Sequence, residues 1–181
     1  MKRSEIKMNI ILALLLLTVF SYAKAQDQED KSKRPSPPAT ATGMIGGATI
    51  TIDYSSPAVK GREIWGKLVP YDQPWRAGAN EATMFKTDKD IMVEGKSLKA
   101  GSYSFFTIPG ESKWTIIFNS ETGQWGDKHD GSANFDPAKN VLTVDVKPGK
   151  SSKFNERLTY VVSNKGFSLD WENLSVPVSV K

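Results

Sequence analysis

Cysteine is absent from this chain and histidine occurs once. Without thiols, neither disulfides nor thiolate chemistry contributes, and the fold must rest on packing alone. A single imidazole, His129, cannot assemble the ligand shells that zinc and other transition metals prefer. It lies in Asp127-Lys128-His129-Asp130-Gly131, which reads as a polar turn. A Ser-His-Asp triad therefore has little to build on, and no G-x-S-x-G elbow is present. Phosphate-cradling glycine loops ahead of a helix are missing too, so nucleotide chemistry has no support and no cofactor is implied. Amphipathic helical stripes of useful length and internal repeats are also missing.

Long apolar runs are confined to the start of the chain. Lys2, Arg3 and Lys7 precede an apolar stretch from Ile10 to Phe20, and Ala23-Lys24-Ala25 follows. This pattern predicts a secretory signal peptide over residues 1–25. The stretch is shorter than the roughly 20 residues a spanning helix needs, so the mature chain is expected to begin near Gln26 and to be periplasmic or extracellular, with no membrane association. The formal net charge of +4 falls to about +1 on cleavage, because Lys2, Arg3, Lys7 and Lys24 depart against Glu5. Overall basicity then gives no reason to expect a nucleic-acid partner.

Residues 26–42 are charged, then rich in proline, alanine and threonine, and read as an extended solvated tether. Residues 43–181 read as one domain. From Gly43 onward the dominant period is two, which puts successive side chains on opposite faces of a sheet. Ala48, Ile50, Ile52 and Tyr54 alternate with Thr49, Thr51 and Asp53. Trp114, Ile116 and Phe118 form another run, with Ile117 on its opposite side suggesting burial on both faces. Leu142, Val144 and Val146 make a third. Leu158, Tyr160 and Val162 then turn through Asn164-Lys165-Gly166 into Phe167, Leu169 and Trp171. Val176, Val178 and Val180 close the chain, and Pro177 between them predicts an edge or an outward-facing position. About nine short strands and no helix predict an all-β, antiparallel two-sheet β-sandwich, jelly-roll-like or Ig-like.

Between Ser55 and Glu81 the alternation stops. A connection this long is commonly functional or itself folded, and Ile64, Trp65, Leu68, Val69, Tyr71 and Trp75 make it too apolar for a disordered segment. Two readings compete. In one, Ile64, Trp65, Leu68 and Val69 form a short helical turn that plugs an open end of the sandwich. In the other, Trp65, Tyr71 and Trp75 wall a pocket in which Arg62, Arg76, Asn80 and Glu81 orient a polar ligand.

The same loop carries a family resemblance that extends from about Ser36 to the C-terminus. Its residues are Ser36-Pro37-Pro38, Ile45-Gly46-Gly47, Lys60-Gly61-Arg62, Ile64-Trp65-Gly66, Leu68-Val69-Pro70-Tyr71 and Trp75 through Thr83, followed by Ala100-Gly101, Tyr103-Ser104, Phe106 through Pro109 and Trp114-Thr115. On these the chain resembles an uncharacterised family of exported bacterial proteins, domain of unknown function 2911. The resemblance implies an address and a shape and no agreed activity.

The chemistry expected is therefore that of a binding module for a small polar ligand, such as a sugar or glycan fragment. A carboxylate-dependent hydrolase built on Glu81, with Glu63 or Asp53 as its partner, is one alternative. A structural or assembly component of the cell envelope is another. Asp127, Asp130 and Asp136, with Asn134, are candidate calcium ligands from their spacing in a glycine-containing loop, although turn chemistry accounts for the same residue types.

Overall fold

The computed structural model of the protein describes residues 30–181, so the signal peptide expected over residues 1–25 lies outside the described residues. Among them no helix is long and apolar enough to cross a membrane. The fold is all-β and antiparallel, as the alternation requires. Ten strands follow one another: β1 Pro38–Ile45, β2 Ala48–Ser55, β3 Thr83–Thr87, β4 Ile91–Val93, β5 Lys96–Leu98, β6 Gly101–Ile108, β7 Trp114–Asn119, β8 Asn140–Val146, β9 Gly149–Ser163 and β10 Gly166–Ser179.

Six of them form one sheet in the order β1-β2-β3-β6-β7-β8. Its inner face carries Ile50, Ile52, Phe85, Phe105, Trp114, Ile116, Phe118 and Val144, all buried. Opposite lies a second layer made by β9, β10 and the β4-β5 hairpin, whose Leu158, Tyr160, Phe167, Leu169 and Trp171 belong to the same core cluster. The layer is continuous because Met92 and Lys181 exchange backbone hydrogen bonds of 2.8 and 2.9 Å, which ties the end of the chain to β4. A glutamate and a glycine with positive φ, Glu94 (47°) and Gly95 (79°), close the β4-β5 hairpin, as a two-residue turn of that hand demands.

Strand β10 turns back on itself. Straight, its 14 residues would separate its ends by more than 40 Å at about 3.3 Å per residue. Yet Val180 N–H donates to Lys165 O at 3.1 Å. Glu172, with φ 55°, lies at the bend, and the register against β9 shifts on either side of it. Asn155 Nδ2 fastens this corner by donating to the Glu172 and Lys153 carbonyls. The valines predicted as a closing run thus return beside Phe167 and Leu169, and Pro177 is exposed.

One boundary needs correction. The tether expected over residues 26–42 ends early, because β1 begins at Pro38 and pairs with β2 from Pro38↔Ser55 to Ile45↔Ala48. Its inward positions are Ala39, Ala41, Gly43 and Ile45, and the first three are so small that they give little hydrophobic contrast in a sequence. Their size has a use: a Cβ on Gly43 would sit 2.7 Å from Val162 Cγ1, so a side chain at that position would push β1 away from β9.

The outer face of the large sheet is also covered, under residues 120–137. Phe106 and Ile117, on the faces opposite Phe105 and Ile116, form a small second core with Ala133, onto which Phe135 and Ile108 pack. This is the two-sided burial expected of β7, and Ile117 is 3 % exposed.

Inside the main core, Thr107 Oγ1 is buried without a hydrogen-bond partner among the described residues. It faces a narrow apolar void lined by Phe105, Trp114, Leu169 and Val176, with no room for a water molecule. An unmet buried hydroxyl costs about 1–3 kcal/mol. Thr107→Val, which keeps the shape and removes that group, is therefore expected to stabilise the fold by about 1 kcal/mol in urea unfolding; destabilisation of that size would show that the hydroxyl is in fact satisfied.

Candidate functional site

The loop from Ser55 to Glu81 is held along its whole length by backbone hydrogen bonds. Its first part runs beside the middle of β9, where Leu158 N–H donates to Pro57 O and Val59 N–H donates to Glu156 O. A tight turn follows, closed by Val69 N–H to Ile64 O at 2.9 Å and Gly66 N–H to Val69 O at 2.9 Å. Ile64 and Val69 point into the core while Leu68 stays exposed. The plug expected from the sequence exists, built from hydrogen-bonded turns instead of a helical one.

Beyond the plug the loop joins the large sheet. Trp75 N–H donates to Thr107 O at 2.7 Å and Thr107 N–H returns to Trp75 O at 2.8 Å, taking over the β6 edge where β3 has ended at Thr83↔Phe105. Strand-like alternation then sends Trp75 and Ala77 inward and Arg76 toward the outer face. The next turn is strained, since Ala77 (φ 54°) and Asn80 (φ 59°) occupy left-handed backbone, uncommon for alanine in particular. It is clamped by Tyr160 Oη–H and Thr83 Oγ1–H, which both donate to Ala77 O, at 2.8 and 3.1 Å. Burial drives the Tyr160 hydroxyl well above the ordinary tyrosine range, with Tyr54 beside it, so it remains a donor.

Inward, the loop contributes two of four clustered indoles. Trp65 meets Trp114 edge-on at 5.2 Å and Trp171 at 5.7 Å, while Trp75 stacks on Trp171 at 6.0 Å. Each well-placed aromatic pair adds about 0.5–1.5 kcal/mol beyond area burial. This cluster fastens the loop to both layers at once. The indole N–H groups of Trp65 and Trp171 have no acceptor among the described residues.

Outward, Arg76 meets the segment after β7. Residues 124–134 fold into a small hairpin through the Asp127↔Ala133 bridge, and Gly126 N–H donates to Asn80 O while Ala82 N–H donates to Gln124 O. Arg76 Nη1 pairs with Asp127 Oδ2. Its Nε is buried and has no acceptor among the described residues. The arginine stem occupies the space a side chain at Gly126 would take, so loop and hairpin are keyed together by a glycine.

Between them opens a cleft of about 790 Å³, with Trp75 and Trp171 at its inner end and Asp127, Lys128, Ser132 and Phe135 along the opposite wall. Of the seven residues expected to contact a polar ligand, Arg62, Trp75, Arg76 and Asn80 line it. Arg62 donates through Nε and Nη2 to the Val59 and Ala58 carbonyls, which leaves Nη1 for other partners. Asn80 Nδ2 donates to Ser36 O at 3.0 Å.

Three do not line the cleft. Trp65 is committed to the indole cluster beneath it. Tyr71 packs against Gly66, where a Cβ would lie 3.0 Å from its Cε2, and burial followed by the charges of Glu111, Glu172 and Glu63 raises its pKa. Glu81 receives both hydrogen bonds of Arg34 Nη1, at 3.1 and 3.0 Å. Nor does the structure gather Glu81, Glu63 and Asp53 at one cleft. Asp53 faces away on β2, where burial raises its pKa but hydrogen bonds from Lys86 and Thr40 and the lysine charge outweigh it, so the net direction is down.

The calcium reading is corrected. Asp127 is paired with Arg76, Asp130 Oδ1 accepts from the backbone N–H and hydroxyl of Ser132, and Asp136 Oδ1 accepts from Ala138 N–H as the cap of a 3-10 turn. Among the described residues no group of three histidine or carboxylate side chains is placed to hold a metal ion. Turn bonds at Asp130 and Asp136 and the ion pair of Asp127 with Arg76 hold the three carboxylates apart. Conversely, Gln73, Lys128, Ser132 and Phe135 line the cleft without having stood out, because polar loop residues carry no period.

No curated protein matches the chain, and no solved structure matches it either. A family model does, over residues 36–180, which takes in the plug, the indole cluster, both walls of the cleft and every strand after it. The chain therefore belongs to the family described as protein of unknown function (DUF2911).

Proposed function

We propose that this protein binds a small polar ligand of the sugar or glycan class in the cleft between the loop and the hairpin, after export directed by residues 1–25. One observation carries the reading: the cleft joins apolar wall, from Trp75 and Phe135, to side chains of both hydrogen-bonding senses, Gln73, Arg76, Asn80, Asp127 and Ser132. Small-ligand pockets combine such walls with a few oriented polar groups, and a hydroxyl-rich ligand both donates and accepts. The carboxylates on the wall are already engaged, Asp127 by Arg76 and Asp130 by Ser132. Arg76, whose side chain keeps 20 % of its surface exposed beside Asp127, is the cationic group on that wall.

A thermal-shift screen of residues 26–181 against neutral and acidic sugars, peptides, nucleotides and calcium tests this. A sugar at 100 times its dissociation constant should add about 2.7 kcal/mol, which in a chain of this size moves the melting temperature by roughly 5–10 °C. Arg76→Gln should remove the shift. A panel in which peptides or nucleotides shift the protein and sugars do not would sink the proposal.

A further inference from the structure

The cleft has little aromatic face to offer a sugar ring. Trp75 is 8 % exposed and Trp171 1 % exposed, because both indoles are committed to the core cluster. The hairpin carries the counterpart, for Trp125 is 50 % exposed. An exposed tryptophan on a mobile tip would need no account. This one is fixed: its carbonyl accepts from Asn134 Nδ2 at 2.9 Å, its backbone bridges to Glu81, and the guanidinium of Arg34 lies 5.8 Å from its ring centroid. An indole held in place while half of its surface meets water is a preorganised contact surface.

Its position relates it to the cleft. Trp125 lines a second, open depression of about 530 Å³ with His129 and Asn134, and two further residues of that depression, Asp127 and Lys128, also line the cleft. The two concavities thus meet along one ridge. Lys128 reaches both, and Asp127, held by Arg76, is the fixed part of the ridge.

We infer that Trp125 forms a second subsite, and that the ligand is an oligosaccharide whose chain crosses the Asp127-Lys128 ridge from the cleft and lays a sugar ring on the indole. This deepens the sugar-binding reading above and rests on it. A single sugar would occupy the cleft alone, whereas a longer chain would engage both concavities and gain the stacking contact. Stacking of this kind supports roughly a tenfold gain in affinity.

Isothermal titration with two series of one to six units, cello-oligosaccharides and oligogalacturonides, tests the inference. In the series that binds, affinity should rise at least fivefold from the monosaccharide to the longer members. Trp125→Ala should erase that rise and leave monosaccharide affinity unchanged, while Trp125→Phe, which keeps a smaller ring, should retain part of it. Circular dichroism of both variants confirms that the fold is intact. An affinity independent of chain length, or one that Trp125→Ala lowers equally at every length, would overturn the second subsite and leave the cleft proposal standing. If no member of either series binds, both proposals fall together.

Discussion

Trp75→Ala is expected to lower folding stability by about 3–5 kcal/mol, the range for deleting a large buried aromatic. The side chain touches three other indoles, at 6.0 Å to Trp65, 6.3 Å to Trp114 and 6.0 Å to Trp171. Neighbours on two layers cannot all close on the space it leaves, so a cavity remains. Domains of ordinary stability have about 5–15 kcal/mol in total, and this variant should therefore unfold at a much lower urea concentration. A midpoint close to that of the parent would show that the indole cluster is not what fastens the loop. The same expectation decides how binding must be tested. Loss of a ligand in Trp75→Ala would report a damaged loop as readily as a missing contact, whereas Arg76→Gln removes a partly buried guanidinium while keeping part of the stem that packs on Gly126, and Trp125→Ala removes a half-exposed ring.

The second large effect is expected at Gly166. Its φ of 142° lies outside what side-chain-bearing residues readily adopt, and a Cβ there would run into the carbonyl oxygen of Val178. That oxygen belongs to the returning half of β10, which is fixed by Val180 N–H on Lys165 O and by the Met92–Lys181 pair, so it cannot easily move aside. Backbone strain of this kind alone costs about 1–3 kcal/mol. Gly166→Ala should exceed the low end of that range and loosen the chain terminus, giving faster amide exchange at Val180 and Lys181. Gly95→Ala is the useful comparison, since its φ of 79° is also positive but nothing lies within 4 Å of the added Cβ. Equal losses at the two positions would mean that the close approach at Gly166 contributes nothing.

The strands were legible because their inward residues are large. Ile50 and Ile52 and Leu142 to Val146 alternate against polar neighbours, Trp114 to Phe118 against Thr115 and the separately buried Ile117, and the sheet buries the expected face of every one. β1 escaped notice for the converse reason, since Ala39, Ala41 and Gly43 lead its inward face before Ile45. The loop was recognisable as a folded unit from its content of tryptophan, isoleucine and valine. The division of labour among its aromatics was not, because Trp65, Tyr71 and Trp75 look alike in a sequence. Only the pairing of Trp75 with Thr107 and the turn at Gly66 sends one indole to the cleft, another beneath it and the tyrosine elsewhere.

By itself, then, the order of residues determined an all-β chain, its hairpins and a packed insertion, since side-chain period and turn chemistry act between near neighbours. Tertiary structure decided the site. Arg76 and Asp127 are 51 positions apart, and Gly126 and Asn80 meet only because the hairpin after β7 folds over the outer face of the sheet that the loop completes. Contacts of that range depend on how sheets stack and where one strand stops, and no local pattern encodes them.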